Sequence, residues 1–194
     1  MDGEEVQIKK EWLERQKNYI NLSAKQPCNK PHLDFILSNI RSILPKIDEL
    51  ILIASNTNPN FIFCTDTWLN SEVPDNVVSL PNYEIIRSDR KNRRGGGVSV
   101  FFKKSLKITR FDLDIDRNNC EYLCFISDEI VYILFYLPPK TQVDSLIYYF
   151  DQMHIKCPLY KTCILGDFNR FNVSDLCNAL NLSYFVEIEI EWFP

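Results

Sequence analysis

Histidine is scarce in this chain: two in 194 residues, His32 and His154. Neither sits in a ligand-spaced cluster and no Cys-x-x-Cys occurs, which argues against a zinc site. Long apolar runs are also missing. The longest, such as 130–137, are too short to cross a bilayer as a helix, so no membrane partner is expected. Positive charge is not in excess: 22 Lys and Arg against 26 Asp and Glu give a formal net charge of −4. Any nucleic-acid contact must therefore be local. There is no internal repeat and no low-complexity tract. The first residues, Met1-Asp2-Gly3-Glu4-Glu5, are acidic, unlike a signal peptide.

What remains is a globular composition, 45% hydrophobic and 13% aromatic, at a length that suits one domain with its own core. The seven cysteines, at 28, 64, 120, 124, 157, 163 and 177, are odd in number and several lie in apolar strands. They read as buried thiols of an intracellular, reducing compartment: the nucleus for a functional protein, otherwise the cytoplasm.

Residues 4–20 carry an imperfect apolar stripe of Val6, Trp12, Leu13, Tyr19 and Ile20, and 21–30 form a polar linker broken by Pro27. Residues 1–30 thus stand apart from a domain at 31–194. Within the domain, strands are predicted at 33–37, 61–65, 83–87, 98–102, 106–111, 121–126, 130–136 and 162–165. A helix is predicted over 44–55, with Pro45 in its first turn and Ile47, Leu50, Ile51 and Ala54 on one face. A second covers 141–155, with Val143, Leu146, Ile147 and Phe150 inward, and a short third lies near 174–182. Pro138-Pro139 stops the seventh strand. This order predicts α/β layers on a mixed sheet.

Chemistry is concentrated where strands end. The apolar run 163–165 stops at Gly166, and Asp167 and Asn169 follow. On extended backbone, residues two apart share a direction, so both would face one site with Phe168 turned back as an anchor. Strand 33–37 leads to Asn39, 61–65 to Asp66 and 130–136 to Tyr136. Ligand sites of layered α/β folds gather at such ends. Any one of these residues could be a turn or cap; the set fits phosphodiester cleavage. An acid with an amide neighbour holds a hard divalent cation through oxygen. An Asp-x-Asn pair orients and activates a water, and a tyrosine hydroxyl donates to a phosphate oxygen. The stretch 87–94 holds Arg87, Arg90, Lys91, Arg93 and Arg94, followed by Gly95-Gly96-Gly97. It can approach a DNA backbone or be a solvated hairpin loop. Trp68 reads as core cover in preference to a base-stacking platform.

Asn39-Ile40-Arg41-Ser42, Thr65-Asp66-Thr67-Trp68-Leu69, Arg87-Ser88-Asp89-Arg90, Gly95-Gly96-Gly97-Val98, Tyr136-Leu137-Pro138-Pro139 and Leu165-Gly166-Asp167-Phe168-Asn169 occur in this order. So ordered, the chain resembles the endonuclease/exonuclease/phosphatase superfamily, and most of all the endonuclease domain of non-LTR (LINE-type, jockey-like) retrotransposons, over about residues 33–180. The resemblance implies a two-sheet α/β sandwich and a monomer that nicks DNA with Mg²⁺ or Mn²⁺ and no small-molecule cofactor. By position, Asp66 and Asn39 would hold the metal and Tyr136 would contact phosphate. Asp167 would deprotonate the water, and Asn169 would steady the scissile phosphate.

Two departures weaken the implied activity. The family has Glu where this chain has Asp66, and it carries a catalytic histidine segment after the Asn169 position. None of the 25 residues after Asn169 (194 − 169) is histidine. His32 and His154 precede the wrong ends of their strands to substitute. The expectation is a C-terminally truncated domain, incomplete in one sheet, with weak or lost cleavage. The alternatives are a non-catalytic DNA- or protein-binding remnant and a phosphoesterase of another branch of the superfamily.

Overall fold

β2 (Phe61–Thr65) is apolar throughout because both its faces are covered. Phe61 and Phe63 point one way; Ile62 and Cys64 point the other. That division organises the whole computed structural model, which describes residues 35–91, 94–113, 115, 120–138, 148–149 and 161–169. The remaining strands are β1 (Phe35–Asn39), β3 (Tyr83–Ser88), β4 (Val98–Lys103), β5 (Thr109–Phe111), β6 (Glu121–Ser127), β7 (Ile130–Tyr136) and β8 (Lys161–Asp167). They form two mixed four-stranded sheets, in the orders β1-β2-β4-β3 and β5-β6-β7-β8. β1 and β2 run parallel, as do β7 and β8; the other neighbours are antiparallel.

The sheets pack face to face. Phe61, Phe63, Val98, Val100 and Phe102 of the first meet Leu123, Phe125, Tyr132, Leu134 and Leu165 of the second. Rings supply much of this layer, with Phe61 5.1 Å from Tyr132 and 5.5 Å from Phe125, centroid to centroid. The outer face of the first sheet is covered by α1 (Ile47–Thr57), through Leu50 and Ala54, and by Leu69, Val78 and Leu80. The outer face of the second, Tyr122, Cys124, Ile133 and Phe135, packs with Leu113, Leu137, Tyr149 and Phe168. Of the described cysteines, Cys64, Cys120 and Cys124 are buried and Cys163 is half-buried. Burial pushes Cys64 and Cys163 up to about 12, which leaves them unreactive.

β2 and β7 match their predicted bounds; other elements differ for local reasons. Pro45 falls in a one-turn 3-10 segment, Leu44–Lys46, and the α-helix starts only at Ile47. Asn58, left-handed at φ 47°, closes that helix by donating to Ala54 O. Leu106 is in a turn, its N–H on Lys103 O, so only Thr109–Phe111 of 106–111 pairs. β8 does not stop at Gly166; it runs through to Asp167 beside β7. The predicted helices at 4–20 and 174–182, most of 141–155, Cys28, Cys157, Cys177 and both histidines lie outside the described residues. Among the described residues no helix is long and apolar enough to cross a membrane.

Candidate active site

Register brings two rows of residues to one rim of the sandwich. In the first sheet Ser88 pairs with Val98, Val98 with Thr65 and Thr65 with Asn39. In the second, Glu121 pairs with Tyr136 and Tyr136 with Asp167. The rows meet where Asn39 Nδ2 donates to Asp167 Oδ2 at 2.5 Å, a hydrogen bond from one sheet to the other.

The backbone around this meeting point is held in unusual conformations. Nine described non-glycine residues have positive φ, and five of them, Arg41, Ser42, Asp66, Trp68 and Asn169, belong to this rim. Left-handed backbone is strained for such residues and persists where the surroundings over-determine it. Here they do. The loop after β2 is bracketed on one side by Ile40, Ser42 and Ile43, whose N–H groups bond the carbonyls of Thr65, Asp66 and Thr67 at 3.0 Å each. On the other side Thr67 and Trp68 donate to Gly97 O and Gly96 O.

Asp66 is fixed by two neutral donors on the same oxygen: Gly96 N at 2.7 Å and Trp68 Nε1 at 2.9 Å from Oδ1. Asp167 is fixed by Asn39 on Oδ2 and by the Asn169 N–H on Oδ1 at 3.0 Å. Burial raises the Asp167 carboxyl above the ordinary 3.8; the Asn169 and Asn39 hydrogen bonds and Arg41 pull it down, and nearby Asp66 pushes it up. The result is a more basic carboxylate than one in water. Burial raises the Tyr136 hydroxyl above 10, with Asp66, Asp167 and Glu121 adding to the rise and Arg90 opposing it. It stays protonated at neutral pH and is a donor.

Each predicted residue now has a place. Asn39, Asp66, Tyr136 and Asp167 come together at the rim. Phe168 is buried, the anchor that was expected. Asn169 is not on extended backbone; at φ 50° its Nδ2 turns to donate to Leu137 O at 2.7 Å. Arg87 turns inward, giving Nη2 to Val73 O at 2.7 Å and Nε to Asp75 and Asp89 at 3.3 Å each. Arg90 turns inward too: Nε and Nη2 bond Glu121 Oε1 and Oε2 at 2.5 and 2.9 Å, and its guanidinium lies 5.1 Å from the Tyr136 ring centre. Those two cations are therefore paired within the protein. Lys91 and Arg94 are exposed, and Arg93 lies outside the described residues. Trp68 is not core cover. It is 36% exposed, with Arg94 stacked on it at 4.9 Å.

Sequence reasoning missed Glu121 and the part played by Gly96. A Cβ on Gly96 would lie 2.2 Å from Arg90 Cζ. Only glycine lets this loop pass between Arg90 and Asp66, and the three-glycine run was the available signal.

The donor set suits a hard cation. Among the described residues the Asn39 Oδ1 is buried and accepts no hydrogen bond. It lies on the side chain whose Nδ2 touches Asp167. The Asp66 Oδ2 has no partner among the described residues either, since both its bonds fall on Oδ1. An amide oxygen and carboxylate oxygens, with no soft ligand, match Mg²⁺ or Mn²⁺, which keep several waters and take few protein ligands. No described cluster of three His, Cys, Asp or Glu suits a full protein cage.

No protein-family model and no curated protein matches this sequence. Solved structures do. The 3′-5′ exonuclease NExo from Neisseria meningitidis superposes with a TM-score of 0.55 at 15% identity, over 70% of this chain and 57% of that one. The endonuclease domain of TRAS1, a telomere-specific non-LTR retrotransposon, gives 0.53 at 12% identity, over 72% and 61%. An AP endonuclease from Archaeoglobus fulgidus gives 0.50 at 15%, over 69% and 56%. The chain thus spans little more than half of these proteins. At such identities the likeness is one of fold alone: two facing mixed sheets packed as an α/β sandwich, with a helix over the outer face of the first.

Proposed function

We propose that this rim binds a divalent cation and a phosphodiester, and that the chain hydrolyses DNA phosphodiesters slowly. The observation that carries this reading is the Asn39–Asp167 bond across the sheets, with an orphaned buried oxygen on the same amide. DNA is the substrate class favoured by the matched structures, which are an exonuclease, a retrotransposon endonuclease domain and an AP endonuclease.

Asp66 and Asn39 would hold Mg²⁺ or Mn²⁺, which when bound stabilises the charge that develops on phosphate oxygens. Asp167, made basic by burial and aimed by Asn39 and the Asn169 N–H, takes the proton of the attacking water. Tyr136 keeps its proton and donates it as a hydrogen bond to a phosphate oxygen. Arg90, held by Glu121 against the ring, fixes where that hydroxyl stands. The slowness follows from Asp66, which is one methylene shorter than the glutamate of the resembled family.

In a supercoiled-plasmid assay with Mg²⁺, the 194-residue chain is expected to convert substrate to nicked circles. The Asp167→Ala protein should do so about 100-fold more slowly, and chelation of the metal should stop both. Nicking that survives Asp167→Ala, or that is indifferent to chelation, would overturn the assignment.

The alternative of a DNA-binding remnant acting through the basic loop loses support from the pairing of Arg87 and Arg90. It retains Lys91 and Arg94. Removing both charges is expected to weaken low-salt DNA binding by a few-fold and to lower its salt slope by about two. Measured by fluorescence anisotropy, an unchanged slope would show that these two cations contact no phosphate.

A further inference from the structure

We infer that Trp68 is a positioning residue for Asp66, held in place by Arg94, and that the trio sets cation affinity at this site. The inference rests on the reading of Asp66 as a cation ligand.

Trp68 is costly where it stands. Its backbone is left-handed at φ 56°, a conformation that bulky residues avoid. Its ring belongs to none of the three described core clusters and is 36% exposed. Neither local preference nor burial accounts for that arrangement. Three contacts do. The indole Nε1–H donates to Asp66 Oδ1 at 2.9 Å. The Arg94 guanidinium lies over the ring at 4.9 Å, which restrains its rotamer. Gly95 backs the junction: a Cβ there would sit 3.7 Å from Trp68 Nε1 and 3.9 Å from Asp66 Oδ1.

The chemistry of the donor is informative. Indole N–H is a neutral donor with no acceptor function. It fixes one carboxylate oxygen through a charge-assisted hydrogen bond and leaves the negative charge uncancelled for a cation at the other oxygen. A lysine or arginine at this position would hold the carboxylate equally well and neutralise it. The positive charge is supplied instead by Arg94, over the indole ring, where it secures the indole. Partners that orient a ligating carboxylate tune metal affinity by about 10- to 100-fold.

The test uses the whole chain and Mn²⁺ alone, followed by calorimetry and by the loss of free-ion paramagnetic signal. Asp66→Ala should abolish binding. Trp68→Phe, which keeps a ring for Arg94 and removes only the N–H, should weaken it about tenfold. Arg94→Gln should weaken it about threefold. A protein carrying Trp12→Phe and Trp192→Phe retains Trp68 as its one indole. Its emission should change with Mg²⁺, half-way at the concentration where calorimetry is half-saturated. Absence of Mn²⁺ binding, or binding unaffected by Asp66→Ala, overturns the reading of Asp66 and this inference together. Binding lost in Asp66→Ala yet within twofold of wild type in Trp68→Phe overturns the inference alone. Should Trp68→Phe fail to fold, the single-indole protein decides: emission indifferent to Mg²⁺ overturns it.

Discussion

A Gly166→Ala protein is expected to melt about 6 to 12 °C below wild type. Gly166 lies in β8 opposite Phe135 of β7, at φ 150°. A Cβ built there meets Phe135 O at 2.0 Å, Phe135 C at 2.9 Å and Phe135 N at 3.0 Å. All three are backbone atoms of a strand paired on both sides, by β6 and by β8, so no side chain can rotate away. The strands must separate locally, breaking ladder bonds over a buried layer that includes Leu165 and Leu134. Overpacking of this kind costs about 3 kcal/mol, and for a chain of this size each kcal/mol lowers the melting temperature by about 2 to 4 °C. Gly95→Ala is the control. Its Cβ would meet only ordinary contacts, at 3.7 and 3.9 Å, and its φ of 84° adds left-handed strain of about 1 kcal/mol. Calorimetry that finds Gly166→Ala as stable as Gly95→Ala would refute the steric argument. Because Asp167 follows directly, the surviving folded protein should also lose the Asn39 contact and with it Mn²⁺ affinity.

Glu121→Ala is expected to lose about 3 to 5 kcal/mol. The Arg90–Glu121 pair is bidentate and its side chains are only 12% and 5% exposed. Removing the carboxylate leaves a guanidinium confined under the Tyr136 ring and against Gly96, without its counter-charge and with little water. The Glu121 hydrogen bond is also the main reason Arg90 holds its proton more tightly than a free guanidinium. The double change Arg90→Met with Glu121→Leu removes both charges and keeps the volume; it should recover most of the lost stability, since a buried pair and its apolar replacement are often equivalent. It should not recover function, because nothing then fixes Tyr136. Chemical denaturation of the two single variants and the double variant measures this directly. A Glu121→Ala loss below about 1 kcal/mol would mean that water reaches Arg90 and the pair is a surface one.

How much of this was legible depends on what each residue touches. β2 and β7 were readable to the residue because a strand covered on both faces is apolar throughout, whatever lies around it. β8 was cut short at Gly166 because a glycine after an apolar run reads as a stop, although inside a sheet it marks close backbone approach. That Asn39, Asp66, Tyr136 and Asp167 meet at one rim was legible because each ends or directly follows a strand, where layered folds place ligands. Glu121 escaped the same rule because it begins one: β6 runs antiparallel to β7, so its start lies level with the end of β7. Arg90 looked available because its partner, Glu121, is distant in sequence, and Arg87 because Asp75 and the Val73 carbonyl, which join Asp89 in holding it, are not announced by any spacing. Trp68 was assigned to the core on residue type, and only the three-dimensional position of Arg94 and Asp66 shows otherwise.

The bond between Asn39 and Asp167 joins residues 128 positions apart, and it spans the two sheets. Such long-range closure is entropically slow and comes late in folding. During synthesis, Asn39, Asp66 and Tyr136 emerge well before their partner. Until β8 clears the ribosome and docks beside β7, the Asn39 amide lacks its Asp167 partner. Alignment of the two sheets at this rim is therefore acquired in a single late event.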